Sequence, residues 1–302
     1  MKKIYSIPAF VIAICLVTIT YSCTEDTTIH TKTSAYVPVI YGAITDQNIR
    51  QQIQISSSSS YFDKEENKRI SNAVVTLKED SSVLSRTYIL TQDSVGSGIY
   101  FTEQPIAGKP GWTYKLSVTM DFDNDGISEE YTAESIMPQK LTIDSFNITK
   151  NKVGEYTLYS LNISAQDQGN EENYYLGRYN INGIWYNKIS KYIVFDDTSL
   201  DGQYVKDLAI WYFNDVNDKS KFSDDDAKDM VFLSSGDNMK VEFSSINKEY
   251  YDFINDCTNQ KNGSNPMFGG PPANISTNIS NGARGFFTAY AISSVGDKVP
   301  EK

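Results

Sequence analysis

The sequence is poor in the side chains that catalysis and nucleic-acid binding draw on. One histidine, His30, and three cysteines among 302 residues leave little material for proton transfer, thiol chemistry or zinc ligation. Basic residues are scarce: 27 stand against 38 acidic ones, a net charge of −11. With no Lys/Arg run either, the cationic face that nucleic acid requires is missing. No GxGxxG, P-loop, HExxH or GxSxG occurs, which disfavours nucleotide binding, zinc proteolysis and α/β-hydrolase chemistry. Hydrophobic content of 40% with one broken apolar stretch excludes a polytopic membrane protein. What is plentiful is aromatic: 21 Tyr within a 13% aromatic fraction, a composition that favours folded β-structure over disorder.

The one apolar run, Ile7 to Val17, follows Lys2 and Lys3 and precedes Thr18, Thr20 and Ser22. That order matches the charged, apolar and small-residue regions of a secretory signal peptide, here residues 1–22. At ~1.5 Å per residue the run reaches only about 17 Å, against a hydrocarbon core of ~30 Å, so a cleaved segment is expected rather than a span. Cys23, directly after Thr20-Tyr21-Ser22, resembles the lipobox cysteine of bacterial lipoproteins, which would make it the lipidation site. Thr20 departs from the Leu preferred three residues upstream, and an ordinary signal peptide with an incidental Cys is the alternative. Thr24-Glu25-Asp26 resembles the acidic export tag of Bacteroidota surface lipoproteins, or else is a solvated part of the tether, residues 23–34. Loss of Lys2 and Lys3 would leave the mature chain more acidic still, so membrane attachment would rest on acyl chains rather than on headgroup charge.

With Cys15 removed and Cys23 acylated, Cys257 has no disulfide partner. It lies on the helical face Tyr250, Phe253, Ile254, Cys257 and reads as a packed thiol.

From Ala35 the pattern alternates. Tyr36 to Thr45, Gln51 to Ser56, Asn72 to Leu77, Arg86 to Leu90, Gly98 to Thr102 and Thr113 to Met120 read as short strands between turn signals. In the last, Tyr114, Leu116, Val118 and Met120 share a face. Met137-Pro138 closes this block and predicts a domain boundary there. Leu141 to Ile148, Tyr156 to Ala165, Asn173 to Ile181, Trp185 to Phe195, Lys206 to Phe213, Asn238 to Phe243 and Gly285 to Ile292 continue as strands. Asp215 to Asp229 reads as an acidic loop, Ser245 to Asn259 as one helix capped by a Ser, and Gly263 to Pro272 as a Gly/Pro-rich loop. The expected fold is mainly β: an N-terminal immunoglobulin-like β-sandwich over 35–138, then a second β-rich domain over 139–302 with one short helix.

Three constellations could carry chemistry. Asp121, Asp123, Asp125 and Glu129, around Gly126, place hard oxygen ligands at alternate positions, as the start of an EF-hand loop does. That makes them a candidate calcium site, although position twelve is Thr132 and strands flank the segment. An acidic hairpin tip is the competing reading. The aromatic groups Tyr174-Tyr175, Trp185-Tyr186 and Trp211-Tyr212-Phe213 could stack on sugars or anchor a partner, or form cross-strand core pairs. Asp196-Asp197, Asp201 and Asp224-Asp225-Asp226 contain carboxylates of the type glycosidases use, yet read better as solvated acidic loops. Asp26-Thr27-Thr28 and Asp93-Ser94-Val95 match a three-residue O-glycosylation signal short enough to occur by chance. No catalytic residue and no bound cofactor beyond possible calcium is indicated.

Val39-Ile40-Tyr41-Gly42-Ala43-Ile44-Thr45-Asp46, Asn72 to Leu77, Gly98-Ile99-Tyr100, Ala133 to Pro138, Asn265-Pro266 and Asn278 to Phe287 occur in order. With the lipobox, this set over residues 35–295 resembles a Bacteroidota lipoprotein family, domain of unknown function 4249. Its first half is also similar to immunoglobulin-like and carboxypeptidase-regulatory β-domains. The resemblance implies an outer-membrane, surface-exposed lipoprotein that assists a TonB-dependent receptor in nutrient uptake. It supplies no catalytic residues, so a non-enzymatic role is expected, with an adhesive or glycan-binding surface protein as the alternative.

Overall fold

The computed structural model describes residues 36–59, 67–261 and 275–301. The expected signal peptide, Cys23, the expected tether with His30 and Asp26-Thr27-Thr28, the end of the serine run and the expected Gly263 to Pro272 loop with Asn265-Pro266 lie outside these residues.

Sixteen strands are formed by the described residues. Seven belong to the first half: β1 Pro38–Thr45, β2 Gln52–Ser57, β3 Val74–Asp80, β4 Ser85–Gln92, β5 Ile99–Thr102, β6 Thr113–Met120 and β7 Glu129–Ile136. The even positions of β6, Tyr114, Leu116, Val118 and Met120, are all buried, as alternation requires of a strand with one face on a core. The second half contributes β8 Ile143–Val153, β9 Tyr156–Gln166, β10 Tyr174–Ile181, β11 Ile184–Trp185, β12 Ile193–Asp196, β13 Tyr204–Asp215, β14 Phe232–Leu233, β15 Asn238–Ile246 and β16 Arg284–Lys298. The fold is thus mainly β and sandwich-like, as composition and alternation imply.

One strand joins the halves. The first part of β16 runs parallel to β1, with Val39 opposite Arg284 and Thr45 opposite Tyr290. The second part runs antiparallel to β15, from Ala291 opposite Ser245 to Lys298 opposite Asn238. A single sheet results, ordered β11-β10-β15-β16-β1-β2-β5-β4-β3-β6-β7, with β12 also on β10. At its far end the sheet curls back: Ser135 Oγ on β7 accepts from Ala289 N–H on β16 at 2.9 Å. Asn278 Nδ2 donates to the Glu134 carbonyl at 3.3 Å. The enclosed core holds Ile40, Ile53, Leu77, Tyr114, Leu116 and Phe287. The other end is covered on one face by a second sheet, β14-β13-β9-β8. Tyr179 of β10 meets Trp211 and Phe213 of β13 edge-on there, at 4.9 and 5.0 Å between ring centroids. Aromatic pairs of this geometry favour the packing beyond their buried area. The expected boundary at Met137-Pro138 falls between β7 and β8, where the chain passes from one core to the other. Residues 36–302 nonetheless cohere as one unit, because β16 belongs to both sandwiches.

Local corrections have local causes. Glu129–Ile136 is a strand that its acidic start conceals; only Tyr131, Ala133 and Ser135 turn inward. The stretch Trp185 to Phe195 is broken by a short 3-10 turn, Ile189–Lys191. The supposed loop Asp215 to Asp229 contains a 3-10 segment Val216–Lys221 and a short helix, α1 Asp224–Asp229. Asp215 Oδ1 accepts from Asn217 N–H at 2.9 Å and Ser223 Oγ from Asp226 N–H at 3.2 Å, so acidic residues that looked unstructured act as caps or sit in a first turn where the helix dipole favours them. The longer helix, α2 Lys248–Lys261, begins three residues later than expected. Its cap is Asn247, whose Oδ1 accepts from Tyr250 N–H at 3.0 Å, while Ser245 stays in β15.

Candidate functional site

The α2 face predicted from spacing packs on the sheet. Tyr250, Phe253 and Ile254 join Leu176, Phe286, Tyr290 and Ile292 in one cluster, with Cys257 at its margin. Burial pushes the Cys257 thiol pKa up, with neighbouring Asp256 adding to the effect, so the protonated, unreactive form is favoured.

Beside α2 the same sheet face is uncovered, and an open cleft of about 640 Å³ forms there. Its walls combine Tyr41 of β1, Arg178 of β10, Trp185 of β11, Tyr192, Glu242 of β15 and Tyr290 of β16. The sheet register puts Arg178 directly opposite Glu242, and their side chains pair at 3.2 Å. Lys240 reaches the other Glu242 oxygen at 3.1 Å. The Arg178 guanidinium lies 5.9 Å and the Lys240 ammonium 5.3 Å from the Trp185 ring, within the range of cation–π attraction. Arg178 Nε is buried and has no hydrogen-bond partner. A guanidinium N–H withdrawn from water without an acceptor is costly. Burial works against the Arg178 charge, but neighbouring Tyr290, Glu242 and Tyr192 outweigh it and leave its pKa raised. Since tyrosines are neutral at pH 7, Glu242 is the partner that matters there.

Tyr41 shows how the cleft is supported. Although 41% of its surface is open, its hydroxyl turns inward to Tyr250 at 2.6 Å. Burial of that hydroxyl drives the Tyr41 pKa up to about 12, even though the Tyr250 hydrogen bond lowers it somewhat. The exposed part of the ring is therefore held by a fixed polar anchor behind it.

The acidic hairpin between β6 and β7 brings together Asp121, Asp123 and Asp125, one oxygen of each lying within 4.8 Å of the others. These carboxylates fold back on their own turn. Asp121 accepts from Asp125 and Gly126 N–H at 3.1 and 2.9 Å, and Asp125 from Ile127 N–H at 2.8 Å. Glu129, the fourth expected ligand, is outside the cluster and faces Phe122 N–H at 3.4 Å. Among the aromatic groups, Tyr175 and Phe213 are core residues while Tyr212 is 61% exposed; Trp185 reaches the cleft. Asp224, Asp225 and Asp226 are exposed in the first turn of α1. Asp197 is not solvated as expected but 3% exposed.

The C-terminal motif has a structural task. Asn278 holds Phe287 at both backbone groups, accepting from its N–H at 3.0 Å and donating to its carbonyl at 2.7 Å. Ser280 Oγ accepts from Thr132 N–H at 2.7 Å. The segment thus staples the start of β16 to β7. The sequence profile of the family described as Domain of unknown function (DUF4249) matches residues 25–295, nearly the whole chain. The chain belongs to the DUF4249 family.

No curated protein matches this DUF4249 chain. Among solved structures it is similar to the chicken CNTN1 FN1-FN3 domains, at 11% identity and a TM-score of 0.26, covering 88% of this chain and 66% of that one. No helix among the described residues of the DUF4249 chain is long and apolar enough to cross a membrane.

Sequence reading missed Arg178, Glu242, Tyr41 and Tyr192 as a group, because four separate segments supply them. One signal was present: Arg178 is the only basic residue in the largely buried run Tyr174–Ile181.

Proposed function

We propose that the protein is an outer-membrane lipoprotein, anchored through Cys23 and displayed at the cell surface, that captures a ligand for a TonB-dependent receptor and catalyses no reaction itself. The Arg178 cleft carries this reading. It joins the Arg178–Glu242 ion pair with Tyr41, Trp185 and Tyr192 surfaces and the amides of Gln52, Gln54 and Asn187. A small, oxygen-rich ligand with one apolar face, such as a saccharide, would satisfy both. Support for display comes from the charge pattern before Ile7 and the placement of Cys23. The openness of the cleft gives some weight to the second reading, adhesion to a glycan polymer.

The test is affinity capture of the full-length, acylated protein from solubilised outer membranes, followed by a soluble-saccharide and glycan-array panel. Recovery of a receptor with binding of a soluble saccharide is expected. A monomer with no receptor, binding only polymeric glycans, would favour adhesion and overturn the uptake reading.

A further inference from the structure

Three acidic residues meet at one edge of the second sandwich. Asp167 follows β9 in the smaller sheet, Asp197 follows β12 in the larger one, and Asp201 lies in the turn that leads to β13. One carboxylate oxygen of each lies within 4.8 Å of the others. Two ligands on opposite sides of a calcium ion bound at ~2.4 Å are at most about 4.8 Å apart, so the three separations meet the upper bound for sharing one ion.

The decisive group is Asp197. It is 3% exposed, and its Oδ2 is buried without any hydrogen-bond partner. The other two are oriented by backbone and hydroxyl donors. Asp167 accepts from Tyr175 Oη at 3.2 Å and from Gly202 N–H at 2.9 Å. Asp201 Oδ1 accepts from Asn170 N–H at 2.8 Å. No Lys or Arg forms an ion pair with any of the three among the described residues. Asn173, whose carbonyl accepts from Asp197 N–H at 3.2 Å, also carries a buried side-chain oxygen with no donor. A concentration of buried acceptors with no donor to meet them is costly unless a proton or a cation intervenes. Burial, together with Asp167 and Asp201, pushes the Asp197 pKa up, which is the response expected of a carboxylate whose countercharge is missing.

We propose that Asp167, Asp197 and Asp201 form a calcium site that clamps the two sheets of the second sandwich together. Hard carboxylate oxygens select calcium over softer transition metals, and the exposed Asp201 side leaves room for the waters that complete six to eight ligands. The site is separate from the Arg178 cleft and independent of the proposed role in uptake.

Calcium titration of the chelator-treated soluble chain, followed by calorimetry and thermal melting, tests this. Binding in the range of about 10⁻⁴ to 10⁻³ M, usual for extracellular calcium modules, and a raised melting temperature are expected. Asp201→Asn alters an exposed side chain and keeps its size, so folding should persist while affinity drops at least tenfold. Asp197→Asn should abolish the melting shift and melt close to the chelated wild type. A combined Asp121→Asn, Asp123→Asn, Asp125→Asn variant should retain the response. No calcium-dependent shift, a shift that survives Asp197→Asn and Asp201→Asn, or one lost only with the hairpin substitutions would each overturn the proposal.

Discussion

The hydroxyls of Tyr41 and Tyr250 share a 2.6 Å hydrogen bond between residues 209 positions apart, linking the first strand to the helix that roofs the sheet. Tyr250 is 2% exposed, and its ring also stacks against Phe253 at 5.9 Å. Tyr250→Phe keeps the packing but leaves the Tyr41 hydroxyl without its partner. A cost of about 1–2 kcal/mol is expected, because an unsatisfied buried polar group loses its hydration without replacement. A urea titration should show a lower midpoint with an unchanged slope.

The buried tyrosines predict an alkaline limit to stability. Burial raises both Tyr41 and Tyr114 to about 12 in the folded chain, against about 10 when unfolded. The unfolded state therefore loses these protons first as pH rises. Their contribution is fully present below about pH 10 and is lost progressively towards pH 12. Melting temperature measured across that interval should fall, and tyrosinate absorbance should rise together with unfolding rather than before it.

Gly285 should tolerate no side chain. Its φ is +97°, and a Cβ would lie 2.0 Å from the Ile40 carbonyl oxygen, which is backbone and has no room to yield. Gly285→Ala combines a left-handed conformation with a main-chain clash where β16 enters beside β1. About 3 kcal/mol or more of destabilisation is expected. Gly154→Ala, also at positive φ but with nothing near its Cβ, should cost only about 1 kcal/mol. Chemical denaturation of the two variants side by side checks the difference.

In the cleft, Arg178→Lys and Trp185→Ala should each weaken the saccharide identified from the panel by roughly tenfold. The first removes the planar fork geometry while keeping the charge, and the second removes the stacking surface. Both should melt within a few degrees of wild type, since Arg178 and Trp185 line the cleft and Lys240 still pairs with Glu242. Unaltered binding in both variants would move the ligand elsewhere.

Cys257 should react slowly. With Cys15 and Cys23 absent from a chain begun at Thr24, a thiol reagent at pH 8 is expected to label the folded protein at a small fraction of the rate seen in urea. Burial holds the thiol in its protonated form, and the thiolate is the reactive species.

Alternation made most strands legible. Thr113–Met120 coincides with its expected bounds, because each residue there sits strictly in or out of one core. The α2 face was equally plain, since Tyr250, Phe253 and Ile254 repeat at the helical period and are all buried. Where side chains served two masters the reading slipped: Asp215 and Ser223 look like loop residues and Asn247 like part of a helix begun at Ser245, yet each caps a helical segment through its side-chain oxygen.

The amino-acid order alone determined the β-rich class, the family and the scarcity of catalytic groups, all of which depend on composition or on neighbours a few positions apart. Only the tertiary structure decided that β16 is shared by two sandwiches, that Arg178 faces Glu242 beside Tyr41, and that Asp197 is buried between Asp167 and Asp201. The reason is physical. Periodicity records which side of a strand meets apolar surroundings, whereas strand order and cross-strand register bring together residues up to 246 positions apart, as Asp46 and Ile292 are, and those depend on the packing of the whole chain.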